Sequence, residues 1–133
     1  MLEGIASTGV PRIHFGVNTG ELLTHMRDAG ADVMGIDWRM DLDDARVRLG
    51  DATALQGNLD PVAVLAVADV ALDRSRDVLR RAGGHRGHIF NLGHGVLPTT
   101  DPEVLERVVE PVAQRERAHH ADHPVRAERD RGL

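Results

Sequence analysis

The chain alternates short, almost wholly apolar runs with longer amphipathic stretches, and this alternation limits its possible folds more than any other feature. The apolar runs lie at Ile13–Val17, Val33–Trp38, Thr53–Gln56 and His88–Leu92. A run that is apolar throughout, rather than at alternate positions, is typical of a strand buried on both faces of a parallel sheet. The pattern therefore predicts four parallel strands, each followed by a helical segment.

The segments between and after these runs have helical spacing or helix-capping residues. The predicted helices are Gly20–Ala29, Asp41–Leu49, Asp69–Arg81 and Asp101–Arg115, with one further helical turn at Pro61–Leu65. Asp41 is placed to cap the second helix, and Pro102 follows the capping residue of the last. Repeated βα units predict an α/β fold with a parallel sheet. Four such units make either a small open sheet or half of a TIM (β/α)8 barrel, which usually takes roughly 250 residues.

The composition of the 133-residue chain excludes several classes of function. A net charge of −5 and an aromatic content of 2% disfavour nucleic-acid binding, which needs a basic surface and stacking side chains. Without cysteine the chain has no disulfide, zinc-thiolate site or cysteine nucleophile, which is compatible with a reducing cytoplasm. No apolar run approaches the roughly 20 residues that span a bilayer, and Met1–Val10 is typical of a helix end rather than a signal peptide.

Polar and glycine-rich segments follow the four predicted strands, where ligands bind in parallel α/β folds. They are Gly16–Thr19, Asp37–Arg39, Gln56–Pro61 and Gly93–Gly95. His94, between two glycines, has little local cover and is the main candidate. It could bind a substrate carboxylate or transfer a proton near neutral pH, or it could only shape its turn by bonding to the backbone.

The other candidates at these strand ends also have two interpretations. Asp37 could act as a general base or orient a ligand, or it could cap the following turn. Asn58 and Asp60 could bind polar substrate groups, but Asn-x-Asp-Pro more typically closes a tight turn. Trp38 is expected to pack at the rim of the barrel.

Two groups of histidines suggest metal binding only weakly. His85, His88 and His94 straddle a loop and a strand and fit no standard ligand spacing, so no metal site is predicted there. A second group, His119, His120 and His123, lies in a charged stretch without apolar periodicity. Residues 115–133 are therefore predicted to form a frayed helix end and a disordered tail.

Three strand-end segments, in order and at matching spacing, resemble the uroporphyrinogen decarboxylase family. They are VMGIDW at Val33–Trp38, LQGNLDP at Leu55–Pro61 and HIFNLGHGVLP at His88–Pro98. The preceding PRIHFGVNTG, at Pro11–Gly20, resembles the strand and turn that come earlier in the family. The resemblance covers about residues 1–114 and marks them as the C-terminal half of the family's barrel.

The resemblance implies a fold and an activity. It implies a (β/α)8 barrel that converts the four acetate side chains of uroporphyrinogen III to methyl groups, giving coproporphyrinogen III in haem biosynthesis. The family uses no cofactor, and its members are typically cytoplasmic homodimers. The resemblance places His94 on the family's substrate-contacting histidine. The family's catalytic aspartate, its arginines and its tyrosine belong to an N-terminal half without counterpart in this sequence, so we expect the chain to be an inactive fragment on its own.

Two alternatives to that activity remain open. One is a non-catalytic half-barrel that needs a partner chain. The other is a relative of the zinc-dependent corrinoid methyltransferases, which place a His-x-Cys motif where this chain has His14-Phe15-Gly16. The lack of cysteine disfavours that second alternative, since the zinc thiolate cannot form.

Overall fold

A computed structural model describes residues 2–85 and 87–122, in which four parallel strands form one sheet in chain order. The strands are β1 (Ile13–Phe15), β2 (Val33–Gly35), β3 (Ala54–Gln56) and β4 (His88–Ile89). Each strand lies within a predicted apolar run but is shorter than it. The four predicted βα units and their parallel arrangement are therefore confirmed.

Helices follow each of the four strands. They are α1 (Leu23–Asp28), α2 (Leu42–Leu49), α3 (Ala68–Arg81) and α4 (Pro102–Asp122). Short 3₁₀ helices span Leu2–Thr8, Gly20–Leu22 and Ala63–Leu65, the last within the predicted turn at Pro61–Leu65. No helix in the described residues is long and apolar enough to cross a membrane.

Asp41 stands at the predicted capping position of α2, but it does not make the predicted capping hydrogen bond. Asp41 precedes the helix, yet its side chain makes no capping hydrogen bond and instead pairs with Arg81 of α3 at 2.8 Å. An ion pair to a guanidinium and a cap to a backbone N–H are both charge-assisted contacts of the same carboxylate, so the two compete directly. At α4 the prediction holds, because the Asp101 carboxylate accepts a hydrogen bond from the Glu103 N–H at 2.9 Å.

The last helix is longer than its sequence pattern indicates. We predicted that it would end at Arg115, but α4 continues to Asp122. Four of the seven added residues are Ala, Arg or Glu, which favour helix even without an apolar face. Residues 123–133 of the predicted disordered tail lie outside the described residues.

The register of the strands separates two faces of the sheet. Met34 of β2 pairs with His14 and Leu55 and faces the helices, where Met34 is fully buried. The other face carries Phe15 and Ile89, which are 45% and 44% exposed. Burial of every strand on both faces is therefore wrong for β1 and β4, although it holds for β2. The reason is positional, since β1 and β4 are the two outer strands of the open sheet.

Candidate active site

The carboxyl ends of β1 and β2 are joined through Asp37, whose side chain is almost fully buried. Its carboxylate accepts hydrogen bonds from the backbone N–H groups of Asn18 and Arg39, the latter at 2.7 Å, and from Arg39 Nη1 at 3.2 Å. Asn18 has a left-handed φ of 56°, a conformation that asparagine tolerates. Of the two interpretations of Asp37, this geometry favours the cap, because its carboxylate is hydrogen-bonded to the loops that follow β1 and β2.

Asn58 joins the carboxyl end of β3 to the loop that follows β2. This buried side chain donates hydrogen bonds through Nδ2 to the carbonyl oxygens of Asp37, at 3.0 Å, and Met40. Gly57 permits the close approach, since its φ is 133° and a Cβ there would lie 2.6 Å from the Ile36 carbonyl oxygen. Asn58 thus links two strand ends and does not close its own turn. The sequence alone does not predict the bonds from Asn58 to the β2 loop, because they depend on the register of the sheet.

Asp60 follows the predicted turn chemistry. Its Oδ1 accepts a hydrogen bond from the Val62 N–H at 2.8 Å, which is the expected two-residue Asx turn. The side chain is therefore used locally, and the turn interpretation of Asp60 is confirmed.

Gly93 brings the last loop directly against the β2 loop. A Cβ at Gly93 would lie only 2.4 Å from the backbone nitrogen of Trp38, so no larger residue fits without movement of the chain. The next residue, His94, is exposed, with its ring centroid 5.8 Å from that of Trp38 and 6.5 Å from that of Phe15, both edge to face. The structure thus presents the His94 imidazole on an aromatic support at the carboxyl edge of the sheet.

Arg39 is a member of this cluster that the sequence did not single out. Its guanidinium carbon lies 3.7 Å from the centroid of the Trp38 ring, within the range of a cation–π contact. Trp38, predicted to pack at the rim, therefore supports Arg39 as well as His94. The only sequence signal for this was the adjacency of Arg39 to Trp38 after an apolar run.

An open cleft of about 630 Å³ lies beside His94 and extends towards α4. Its walls are mostly apolar, and they include Phe15, Gly35, Ile36, Phe90, Leu92, Val96, Leu105, Val108 and Val109. The polar side chains on the lining are those of Gln56, Asn91 and His94. An apolar cleft with a few polar groups suits a largely hydrophobic ligand that carries polar substituents.

The remaining histidines of the predicted groups do not converge on this cleft. His88 Nε2 lies 2.8 Å from the Gly57 carbonyl oxygen, on the helix-facing side of the sheet. Within residues 2–85 and 87–122, no three side chains of the ligand types His, Cys, Asp and Glu are grouped to hold a metal ion. The group of His119, His120 and His123 extends outside the described residues.

The carboxyl groups with perturbed pKa values lie in ion pairs outside the cleft. A hydrogen bond from the Arg12 side chain lowers the pKa of Asp32 to about 2, and the two side chains join the start of β1 to the start of β2. On α3, a hydrogen bond from Arg81 likewise lowers the pKa of Asp77. The Arg12 pair links neighbouring strands and the Asp77 pair lies within α3, and neither lines the cleft.

The chain is similar in sequence to uroporphyrinogen decarboxylases. The model of the family described as "Uroporphyrinogen decarboxylase (URO-D)" matches residues 1–115. A uroporphyrinogen decarboxylase of Streptomyces coelicolor is 56% identical over 110 residues, covering 83% of this chain and 31% of that protein. One of Thermobifida fusca is 61% identical over 106 residues, covering 80% of this chain and 29% of that protein. The chain thus spans about a third of the length of the curated relatives it matches.

A solved structure supports the same fold. A methyltransferase from Methanosarcina mazei superposes with a TM-score of 0.72 over 86% of this chain and 34% of that chain, at 17% sequence identity. Identity this low shows the fold alone. The four parallel βα units correspond to part of a TIM-type barrel, as predicted. Together, the family match and the identity to the bacterial enzymes show that the chain belongs to the uroporphyrinogen decarboxylase family.

Proposed function

We propose that the chain supplies the C-terminal βα units of an enzyme that decarboxylates uroporphyrinogen III to coproporphyrinogen III. The observation that carries this proposal is the exposed His94 imidazole at the carboxyl edge of the sheet, beside an apolar cleft. An apolar wall suits the tetrapyrrole framework, and an N–H donor at its rim suits a carboxylate. In this proposal His94 binds a carboxylate of the substrate.

The chemistry requires more than the described residues offer. Loss of CO2 from a pyrrole acetate needs a proton at the ring carbon and stabilisation of positive charge on the pyrrole as the carboxylate leaves. A carboxylate facing the pyrrole N–H groups would stabilise that charge. Asp37 is committed to Asn18 and Arg39 and is buried, so it does not fill this role. The family resemblance assigns this charge-stabilising role to an aspartate of the N-terminal half.

The exposed inner face suggests that the chain is inactive alone. Ile13, Phe15 and Ile89 remain about half exposed on the inner face of the outer strands, where a barrel would bury them. We therefore propose that activity requires the remaining barrel units. We further propose that the complete enzyme is a cytoplasmic homodimer and needs no cofactor, as the family resemblance implies.

Complementation tests this proposal. The chain is incubated with enzymatically generated uroporphyrinogen, alone and after co-expression with the part of the Streptomyces coelicolor relative that precedes the matched region. Chromatography of the oxidised products measures coproporphyrin. We expect coproporphyrin only from the co-expressed pair. Co-purification of the two pieces without any product would contradict the proposed activity, and product from the isolated chain would contradict its inactivity. Sedimentation of the active pair tests the dimer.

A further inference from the structure

Arg39 and His94 lie on the same aromatic ring although they come from different strands. The Arg39 guanidinium stacks over Trp38 at 3.7 Å, and the His94 ring meets Trp38 edge to face at 5.8 Å. The contact between the β2 and β4 loops is fixed by Gly93, which leaves no space between its Cα and the Trp38 backbone. Two N–H donor groups are therefore held against one aromatic ring at the carboxyl edge of the sheet, and one of them, His94, also lines the cleft.

Arg39 retains hydrogen-bonding capacity in this position. A guanidinium has five N–H donors, and Asp37 takes one of them, from Nη1 at 3.2 Å. Within the described part of the chain, the Arg39 side chain has no other acceptor, and it is 46% exposed. Asp37 does not cancel the charge of Arg39 fully, because two backbone N–H groups also share its carboxylate.

The arrangement suits an anion more closely than a neutral ligand. Stacking on Trp38 fixes the plane of the guanidinium, so its free edge is pre-organised for the two oxygens of a carboxylate. His94 offers a second donor that contacts the same ring edge to face. When the Arg39 fork takes both oxygens of one carboxylate, His94 is left to bind a second, and only a polycarboxylate supplies both.

We propose that Arg39 and His94 bind two carboxylates of the same ligand molecule, so that Arg39 is a second binding residue of the site. This inference rests on the proposed function and extends it by assigning a second substrate carboxylate to Arg39. Trp38 acts as a positioning residue that holds both donors.

The chain contains its own reporter, since Trp38 is its single tryptophan. Its fluorescence is titrated with two probes, uroporphyrin and benzenehexacarboxylate, and calorimetry gives an independent Kd for each. The variants are Arg39→Gln, Arg39→Lys and the control Arg76→Gln. Arg76 is an exposed arginine on α3, and its replacement by glutamine removes the same charge at a distance from the Trp38 cluster in the chain. Circular dichroism and the Tm establish that each variant is folded.

We expect Arg39→Gln to raise the Kd for both probes about tenfold or more, the effect of removing a hydrogen bond between charged groups. The change should also weaken the salt dependence of the Kd. Arg39→Lys keeps the charge but not the planar fork, so its Kd should lie between those of the wild type and Arg39→Gln. Arg76→Gln should stay within about twofold of the wild type, because exposed ion pairs contribute little.

The outcomes separate this inference from the proposed function. Uroporphyrin binding that is equal in the wild type and Arg39→Gln overturns the role of Arg39 but leaves the function standing. Binding of benzenehexacarboxylate that depends on Arg39, without any binding of uroporphyrin, supports the inference and counts against the function. If neither probe binds the wild type, or if Arg76→Gln weakens binding as much as Arg39→Gln, the inference is wrong.

Discussion

Replacing Gly93 by alanine tests how the last loop is held against the β2 loop. A Cβ at this position would lie 2.4 Å from the backbone nitrogen of Trp38 and 2.9 Å from its Cα. Both are backbone atoms that cannot rotate away, so one of the two loops must shift. Overpacking of this kind costs about 1–3 kcal/mol in the free energy of unfolding. The shift would also separate His94 from the Trp38 ring.

The adjacent Gly95 offers a matched control. A Cβ at Gly95 would meet no atom within 4 Å, and neither glycine has a positive φ. Gly95→Ala should therefore leave stability unchanged or raise it by up to about 1 kcal/mol, through the lower entropy of the unfolded chain. Urea unfolding followed by circular dichroism measures both variants, and Trp38 fluorescence reports the local change. Equal unfolding free energies for Gly93→Ala and Gly95→Ala would refute the reasoning.

Two further predictions concern the links between strands. The pKa of Asp32 is lower in the folded chain than its ordinary 3.8, so the Arg12 ion pair stabilises the fold above that pH and the effect is lost as the pH falls towards about 2. The difference in unfolding free energy between the wild type and Asp32→Asn should shrink across this range, and a constant difference would contradict the pairing. Asn58→Ala should cost about 1–3 kcal/mol, because it leaves the buried Asp37 carbonyl with only a long hydrogen bond from the Met40 N–H, at 3.4 Å. The exposed Asn91→Ala is its control, and equal losses of stability in urea unfolding would argue against the inter-strand role.

Local patterns in the sequence were sufficient for much of the fold. The short apolar runs around Met34 and Leu55 identified two strands whose central residues are fully buried. The start of α4 was predictable because Asp101 and Pro102 combine a cap with a residue suited to the first helical turn. The far end of α4 was not, because no glycine or proline stops the helix where its apolar pattern fades at Arg115.

The candidate site was predictable in its location but not in its contacts. His94 was identified from its glycine neighbours and its place after a strand. Its contact with Trp38 links residues far apart in the chain, and it depends on the register of the parallel strands. The hydrogen bond from Asn58 to the Asp37 carbonyl oxygen also depends on this register. The stacking of Arg39 on Trp38 likewise has no local sequence pattern that predicts it. No local spacing carries this information.

The most direct test of the account is the decarboxylation rate of the co-expressed pair with His94→Gln. If His94 binds a substrate carboxylate, the loss of this charge-assisted bond should lower kcat/KM about tenfold or more. His25→Gln is the control, since His25 is an exposed histidine on α1 and does not line the cleft. The account predicts that the His25 variant keeps the wild-type rate while the His94 variant loses it. Equal rates for the two variants would contradict the assignment of the substrate site to His94.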